Sequence, residues 1–260
     1  MSNLTPSWPI GRGMNVANGE KRIYSEFRTG ILTAKRAGGA ATGTAGDQNL
    51  LWVAGEGIKN PGLLLEYGIL GTQTILAPVL TSTGMDIGMD QTNTEGVEIT
   101  NGITARSPMA FTVGTDRAFF LSVTAKVVDA SGCNPFVIGF RKAEAYNATI
   151  ADYADYAYIG IVGTANPNTI KTVTEAAGGG ATTTDTTNTW ADAATKTLKV
   201  SVSAARAVTY LIDGVAPTVT AAFTFDSGEV VVPFFFFLQA TTSPGIVELI
   251  EWISGLDAEA

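Results

Sequence analysis

The sequence predicts an all-β protein built as a sandwich of two sheets. Residues 197–203 alternate apolar and polar side chains with a period of two, which is typical of a strand with one buried face. Residues 207–212 form a second predicted strand that runs into the turn pair Asp213 and Gly214, and a further strand is expected after that turn. The 29 glycines, the abundance of threonine and the scarcity of amphipathic helical runs favour strands over helices elsewhere.

Amino-acid composition limits the chemistry that the chain can perform. Because it has no histidine, it cannot build a Ser-His-Asp or Cys-His catalytic site or supply imidazole ligands to zinc or copper. Cys133 is the only cysteine, which excludes an intrachain disulfide and predicts a small side chain that is buried or flanks a turn. We therefore expect a protein that is not an enzyme, holds no cofactor and no metal, and is assembled in the cytosol.

The length of the chain favours one large domain with appendages, since 260 residues with 45% hydrophobic content can bury a sizeable core. Residues 1–47 are predicted to form an extended, basic N-terminal arm that ends in a Gly-rich linker, and residues 48–260 the β-sandwich. Residues 48–95 are a candidate for a separate subregion. The sequence has no window of about 18 apolar residues and no signal-like N-terminus, so we expect neither a membrane-spanning segment nor a cleaved signal peptide.

The predicted arm and the body carry charge of opposite sign. Residues 1–36 contain six basic and two acidic residues, a net charge of +4, and because the whole chain carries −8 the remainder carries −12. This distribution is expected of a segment that docks on an acidic surface, either a neighbouring subunit or another protein. The alternative is a solvated arm whose charges only aid solubility. The candidate interface residues are Trp8, Ile10, Arg12, Lys21, Arg22, Tyr24, Phe27, Arg28, Lys35 and Arg36.

Regular turn signals predict a series of strands in the body. The apolar runs within residues 50–80 are compatible with strands or a short helix, and the Thr-rich tract at 182–189 is predicted to be an exposed low-complexity loop. From Val97 onward the number of strands is sufficient for two packed sheets. The predicted strands lie near residues 97–100, 109–113, 118–128, 135–141, 157–163, 169–174, 197–203, 207–212, 219–225, 230–239 and 246–254.

Four successive phenylalanines, Phe234 to Phe237, stand inside one of these predicted strands. A strand that is apolar at every position is expected to be buried on both faces, between the opposite sheet and a covering element or another subunit. The alternative is a ligand groove. Burial is preferred because ligand sites combine apolar walls with a few convergent polar groups, and the sequence places no polar group next to this run.

The order of the closing segments resembles the concanavalin A-like and laminin G-like jelly rolls found among the structural proteins of tailed phages. The resemblance covers residues 95–255 and implies a jelly-roll β-sandwich. In such phage proteins the fold decorates or cements the capsid or forms part of a tail or fibre, so the fold alone does not decide the role. The segments that carry the resemblance are residues 136–142, 152–161, 199–202, 208–214, 232–235 and 248–253.

Acidic residues offer three alternatives to a purely structural role. Glucanases share the jelly roll, but their Glu-x-Asp-x-x-Glu motif is missing, and the nearest acidic cluster, at 86, 90, 95 and 98, has unsuitable spacing. Oxygen ligands at Asp86, Asp90, Thr92 and Asn93 could hold calcium, although the preferred interpretation is a solvated acidic loop.

The third alternative is a sugar-binding rim. Asp152 and Asp155 are interleaved with Tyr153 and Tyr156, a combination that can stack on and hydrogen-bond to a sugar. The preferred interpretation is that these tyrosines are surface residues between strands.

These observations predict a non-enzymatic virion component that decorates or cements a phage capsid through its N-terminal arm. Its expected partners are the major capsid protein and neighbouring copies of the chain in a homo-oligomer, for which a trimer would fit three-fold lattice positions. The expected location is the capsid surface, after assembly in the host cytoplasm. Nucleic acid is not an expected partner because the body is acidic and the arm lacks a dense basic patch. The alternative function is a carbohydrate-binding, lectin-like module of a phage tail or fibre.

Overall fold

The computed structural model describes most of the chain from residue 84 onward and the strands that precede it. For the strands before Leu70, and for the two residues of the strand at 79–80, it describes the backbone course only. The described residues are 13–14, 22–26, 30–36, 48–55, 63–70, 79–80, 84–87, 94–100, 105, 109–147, 149–163, 168–176, 178–240 and 247–257.

Eighteen strands make up this described part, joined by turns and two short 3-10 segments. In chain order they are β1 (Gly13–Met14), β2 (Arg22–Glu26), β3 (Gly30–Arg36), β4 (Gln48–Gly55), β5 (Leu63–Leu70), β6 (Val79–Leu80), β7 (Met85–Asp86), β8 (Gly96–Thr100), β9 (Phe111–Thr112), β10 (Phe119–Val127), β11 (Cys133–Lys142), β12 (Tyr156–Ile161), β13 (Thr169–Glu175), β14 (Thr182–Thr189), β15 (Thr195–Val202), β16 (Val208–Ile212), β17 (Val230–Gln239) and β18 (Val247–Leu256).

The strands form two antiparallel sheets, which confirms the predicted all-β sandwich with jelly-roll character. The eight-stranded sheet follows the order β1-β2-β18-β10-β15-β16, with β7 joining β6 to β18. The ten-stranded sheet follows the order β14-β13-β12-β11-β17-β8-β5-β4-β3, with β9 added to β17. Ten of the eleven strands predicted after Val97 are present, and none of the helices among the described residues is long and apolar enough to cross a membrane.

The main core lies between the two sheets and is filled by alternate residues of their strands. In β15, Leu198, Val200 and Val202 face this core, as the period of two predicts. Aromatic rings link strands of the opposed sheets: the rings of Phe119 and Phe140 meet edge to face, with centroids 5.0 Å apart. Such ring pairs stabilise a core beyond their buried area.

The phenylalanine run of β17 is buried on both faces, as predicted. Phe235 and Phe237 face the core between the sheets, whereas Phe234 and Phe236 face a second apolar cluster on the other side of the same sheet. All four side chains are fully buried. Cys133 is also buried, as predicted, at the start of β11.

The hairpin signal is confirmed, but the strand expected after it is absent. Strand β15 pairs with β16, as predicted. The turn after β16 has positive φ at both Asp213 and Gly214, 52° and 82°, as a two-residue hairpin turn requires, and it is closed by one isolated bridge between Ile212 and Val215. Residues 219–225 were predicted to be a strand; instead they are irregular and touch the sheet through one isolated bridge, between Ala207 and Thr224. The reason is packing, because Phe225 turns inward and is buried in the core, with Phe223 stacked edge to face against it.

The Thr-rich tract at 182–189 is β14, a strand at the end of the ten-stranded sheet, so its prediction as a loop was wrong. Its side chains are nevertheless mostly exposed, as predicted. Threonine is β-branched and favours extended backbone, and pairing with β13 satisfies one edge of the tract. Low sequence complexity was therefore not a sufficient reason to predict a loop at 182–189.

Parts of the predicted N-terminal arm belong to the sheets. Strand β2 pairs with β18, and β3 pairs with β4, so the arm includes backbone that is paired with strands of the body. The apolar runs within residues 50–80, compatible in sequence with strands or a short helix, form the strands β4 and β5. The boundary at residue 47 and a separate subregion at 48–95 stay predictions.

Candidate functional site

Part of the outer face of the ten-stranded sheet is covered by the connection between β11 and β12. The described residues of this connection, 143–147 and 149–155, are called the strap below. Tyr153 and Ile150 of the strap pack on an apolar floor that includes Phe234, Phe236 and Tyr158, and the Tyr153 and Phe234 ring centroids lie 6.5 Å apart. The second apolar cluster is therefore made by the sheet and the strap together.

A buried ion pair stands beside this floor. Arg141, at the end of β11, donates from Nε to Oε1 of Glu98 in β8 over 2.7 Å, and both side chains are fully buried. The Tyr153 hydroxyl donates to the other carboxylate oxygen of Glu98. Arg141 Nη1 donates to the backbone carbonyls of Lys142 and Glu144 at 2.8 and 3.0 Å, so the guanidinium ties the first residues of the strap to the sheet.

Burial and the mutual contacts of Glu98, Arg141 and Tyr153 together shift the pKa values of these groups. Burial raises the pKa of the Glu98 carboxyl, although the charge of Arg141 works in the opposite direction. Burial disfavours the charge of Arg141, but Glu98 outweighs it and the pKa of Arg141 is raised. Burial and the neighbouring Glu98 raise the pKa of Tyr153, so its hydroxyl remains a hydrogen-bond donor at neutral pH.

A second charged cluster closes the base of the strap, and it is partly open to solvent. The Lys142 ammonium lies 3.1 Å from Asp155 Oδ2 and 3.4 Å from Glu229 Oε1. The Lys142 side chain is 46% exposed, whereas those of Asp155 and Glu229 are 4% and 7% exposed. We call these three residues the corner cluster.

The corner cluster holds one carboxyl whose pKa is close to neutral. Burial, followed by the hydrogen bond and charge of Asp155, raises the pKa of Glu229 to about 7. The hydrogen bond to Asp155 is the main reason that the pKa of Lys142 is raised. Two nearly buried carboxyl groups with one ammonium between them form a compact set of hydrogen-bonding groups next to solvent.

Tyrosines extend the site along β12. The Tyr156 and Tyr158 rings stack with centroids 5.1 Å apart, and the Tyr156 hydroxyl donates to Glu175 Oε2 over 2.7 Å. Burial is the main cause of the raised pKa of both tyrosines. The interpretation of Tyr153 and Tyr156 as surface residues was wrong, because both side chains are buried. Their rings are therefore not open to stack on a sugar, as the alternative of a sugar-binding rim required.

The corner cluster offers groups that can bind a polar ligand. Asp155 and Glu229 both contact the Lys142 ammonium, so acceptors and a donor stand side by side. The part of the chain that the structure describes contains no group of three or more histidine, cysteine or acidic residues that could hold a metal ion.

Two of the acidic residues at 86–98 lie in strands and not in the solvated loop that the sequence indicated. Glu98 is buried in β8 with Arg141, and Asp86 lies in β7, paired with β18. Asp90, Thr92 and Asn93, the remaining candidates for calcium ligands, lie outside the described residues.

The predicted interface residues of the arm are only partly located. Arg22 and Tyr24 belong to β2, and Lys35 and Arg36 belong to β3, in opposite sheets. Their role as an interface stays a prediction. The others lie outside the described residues: Trp8, Ile10, Arg12, Lys21, Phe27 and Arg28.

Sequence reasoning named Glu98, Tyr153 and Asp155 but did not bring them together, and it missed three further residues of the site, Arg141, Lys142 and Glu229. Arg141 directly follows a run of mostly apolar residues, and Glu98 stands between Val97 and Ile99 in a short apolar strand. A charge inside an apolar strand was the available signal, because a buried charge requires a partner. The partner itself lies 43 residues away in sequence and two strands away in the sheet.

Comparison with known proteins identifies a fold and no family. The carbohydrate recognition domain of Emp47p is similar with a TM-score of 0.50 and 12% identity, over 70% of this chain and 86% of that one. The potassium-bound carbohydrate recognition domain of Emp46p has a TM-score of 0.50 and 6% identity, over 75% and 89% of the two chains. A CBM2 module of the evolved Dit of Lactobacillus casei BL23 phage J-1 has a TM-score of 0.45 and 8% identity, over 71% and 82%.

No family model and no curated protein sequence matches the chain. At such low identities the structural likenesses establish the fold alone.

Proposed function

We propose that the protein is a non-enzymatic carbohydrate-binding module that binds sugar at the corner cluster and the adjoining surface of the strap. The observation that carries this proposal is the likeness of the fold, over 70% and 75% of the chain, to the carbohydrate recognition domains of Emp47p and Emp46p. Among the two functions that the sequence suggested, this likeness supports the lectin-like module better than capsid decoration.

The corner cluster supplies the chemistry that sugar hydroxyls require. The carboxylates of Asp155 and Glu229 accept hydrogen bonds from hydroxyl groups, and the ammonium of Lys142 donates them. Because the cluster is held at the junction of β11, β12 and β17, its geometry is set by the sheet before a ligand arrives. A preorganised site loses little conformational entropy on binding.

The strap also supplies an aromatic side chain. Tyr146 is half-buried, and its ring lies against the Arg141 guanidinium, with the ring centroid 5.8 Å from Cζ. An aromatic ring that is fixed underneath and partly open above can stack on the apolar face of a pyranose. Polar groups beside an aromatic surface are the combination that ligand sites use.

A glycan array probed with the full chain tests this proposal. We expect binding to a restricted set of glycans, and we expect Asp155→Asn and Lys142→Ala to weaken it at least about tenfold, as for loss of a charge-assisted hydrogen bond. The matched controls are Asp213→Asn and Lys196→Ala, which alter an ion pair of 2.9 Å beside the hairpin turn. No glycan binding by the folded full chain would contradict the proposal, as would equal losses in the control variants.

The absence of catalysis is part of the same proposal. We expect no release of reducing sugar from any glycan that binds, because the two acids of the corner cluster both contact the Lys142 ammonium instead of flanking a bond to be cleaved. Capsid decoration through residues 1–47, the major capsid protein as partner and a location on the virion surface stay predictions from the sequence.

A further inference from the structure

The terminal strands β16 and β14 of the two sheets differ in how their outer edges are covered. At one end of the eight-stranded sheet, the irregular segment 219–225 lies over the edge of β16, where Val208 N–H donates to the carbonyl of Phe223 over 3.0 Å. At one end of the ten-stranded sheet lies β14, which has no strand on its outer side among the described residues. An uncovered edge exposes backbone donors and acceptors that can pair with another strand.

The composition of β14 does not protect this edge. Natural edge strands are usually blocked by lysine, proline or inward-pointing charges. Strand β14 contains none of these: six of its eight residues are threonine, one is asparagine and one, Asp185, is charged but exposed. Threonines that face one another across strands form favourable pairs.

Only the first part of β14 is open for pairing. Thr187 has a positive φ of 65°, and its N–H donates to Asp185 Oδ1 over 2.7 Å. The N–H of Asn188 donates to Thr186 Oγ1 over 3.3 Å. Because side chains of the strand itself occupy these backbone donors, the edge that can accept another strand is residues 182–186.

We propose that residues 182–186 pair antiparallel with the same residues of a second copy of this chain, so that two ten-stranded sheets join into one. The occupant is a second copy because the segment is complementary to itself. In an arrangement centred on Thr184, that residue faces its own symmetry mate, and Asp185 faces Thr183. No two like charges then stand directly opposite one another, a condition for stable cross-strand pairing. The proposal is independent of sugar binding.

The pairing is expected to be weak and therefore dependent on concentration. Five residues on each side supply a small interface, which is typical of transient complexes. The two chains, each with a net charge of −8, also repel one another, so added salt should strengthen the dimer. We expect a dissociation constant of about 10–100 µM, a value in the range of weak, transient complexes.

Sedimentation velocity of the full chain, from about 1 µM to several times the upper Kd expected above, tests the proposal. The wild-type chain should shift from monomer to dimer. Thr184→Lys places two ammonium groups opposite one another and should weaken the dimer at least about tenfold. Thr183→Lys places each ammonium opposite Asp185 of the other copy and should tighten the dimer by about two- to tenfold at low salt.

Thr209→Lys, at an exposed position of β16, is the matched control and should leave the dissociation constant unchanged. Circular dichroism and thermal unfolding will show that each variant is folded. A wild-type chain that stays monomeric over the whole concentration range would overturn the proposal. So would a dimer that responds to Thr183→Lys and Thr184→Lys in the same way, or to neither.

Discussion

The two faces of the ten-stranded sheet are built from the same strands but are buried by different means. On the inner face, Phe235 and Phe237 of β17 pack against the other sheet in a core made of apolar side chains. On the outer face, Phe234 and Phe236 lie under a strap that is held by charged groups. The inner face needs only apolar area, whereas the outer face also depends on the correct pairing of buried charges.

This difference determines how each face should respond to mutation. An apolar core loses stability in proportion to the atoms that are removed and to the cavity that remains. A buried ion pair responds asymmetrically, because deleting one partner leaves the other charge buried without compensation. Mutations at each face can therefore test whether the inner face depends on apolar area alone and the outer face also on paired charges.

The largest effect is expected at the buried ion pair. Arg141→Ala should lower the free energy of unfolding by about 3–5 kcal/mol, because Glu98 remains buried without its counter-charge. The double variant Glu98→Leu, Arg141→Met should lose clearly less than Arg141→Ala alone, since neither charge remains. Urea unfolding of the three proteins measures both values, and a double variant that is less stable than the single one would contradict the assigned role of the pair.

The next effect is expected at Gly139, between Phe234 and Tyr158 in the register of the sheet. The rings of these two neighbours meet edge to face, with centroids 6.2 Å apart. A Cβ on Gly139 would lie only 2.2 Å from the carbonyl oxygen of Ala157 and 2.6 Å from Tyr158 Cα. Gly139→Ala should therefore lower the free energy of unfolding by about 1–3 kcal/mol, as for overpacking of a core.

Thermal and urea unfolding of Gly139→Ala will measure this loss. Gly179→Ala is a suitable control, because the nearest atom to a Cβ there is 3.1 Å away and the residue is exposed. If Gly139→Ala lowers the free energy of unfolding no more than the control does, the neighbouring strands can move apart at Gly139 with little loss of stability, contrary to the prediction.

Paired substitutions in the phenylalanine run compare the two faces directly. Phe235→Leu and Phe236→Leu should each cost about 1–2 kcal/mol, since both side chains are fully buried and each variant leaves a small cavity. Equal costs are expected if the strap is closed as firmly as the opposite sheet. Chemical denaturation gives the two values, and a negligible cost for Phe236→Leu alone would show that the strap does not bury its floor in solution.

Burial of both faces of the ten-stranded sheet could be predicted from the sequence, but the groups that cover the outer face could not. The period of two in residues 197–203 correctly predicted one buried face for β15, and the four phenylalanines correctly predicted burial on both faces of β17, because the period of a strand fixes which side chains share a face. The contacts that hold the strap could not be predicted from periodicity, because Glu98, Arg141 and Tyr153 come from three separate segments. A lone charge in an apolar strand indicates that a partner exists, but the fold decides which residue it is.

The wrong secondary-structure predictions at 182–189 and 219–225 have a related cause. A Thr-rich tract has the backbone preference of a strand but no apolar alternation, so it joins a sheet only because β13 offers an edge. Residues 219–225 have alternation but are used to bury Phe225 and cover β16. In both segments tertiary contacts outweighed the local pattern.

The smallest effect is a pH dependence of stability that originates in the corner cluster. Glu229 has a pKa of about 7 in the folded protein against an ordinary value of 4.5, so between these values the folded state binds more protons than the unfolded state. The free energy of unfolding should therefore fall as the pH rises from about 4.5 to 7, and this contribution should be constant above that range.

Urea unfolding across this pH range, with wild type and Glu229→Gln, measures the contribution. The variant should show a clearly shallower decrease, because the carboxyl that titrates has been removed. Glu98 has a raised pKa of the same sign and remains in both proteins, so some slope should persist in the variant. Identical slopes in the two proteins would contradict the shifted pKa of Glu229.

Hydrogen–deuterium exchange of the full chain, with and without a glycan identified on the array, tests directly where sugar binds. If sugar binds at the corner cluster and the strap, the amides of residues 142–155 should exchange more slowly in the bound protein, while those of β14 should not change. Protection confined to other segments, with no change at 142–155, would contradict the site that we assign on the outer face of the ten-stranded sheet.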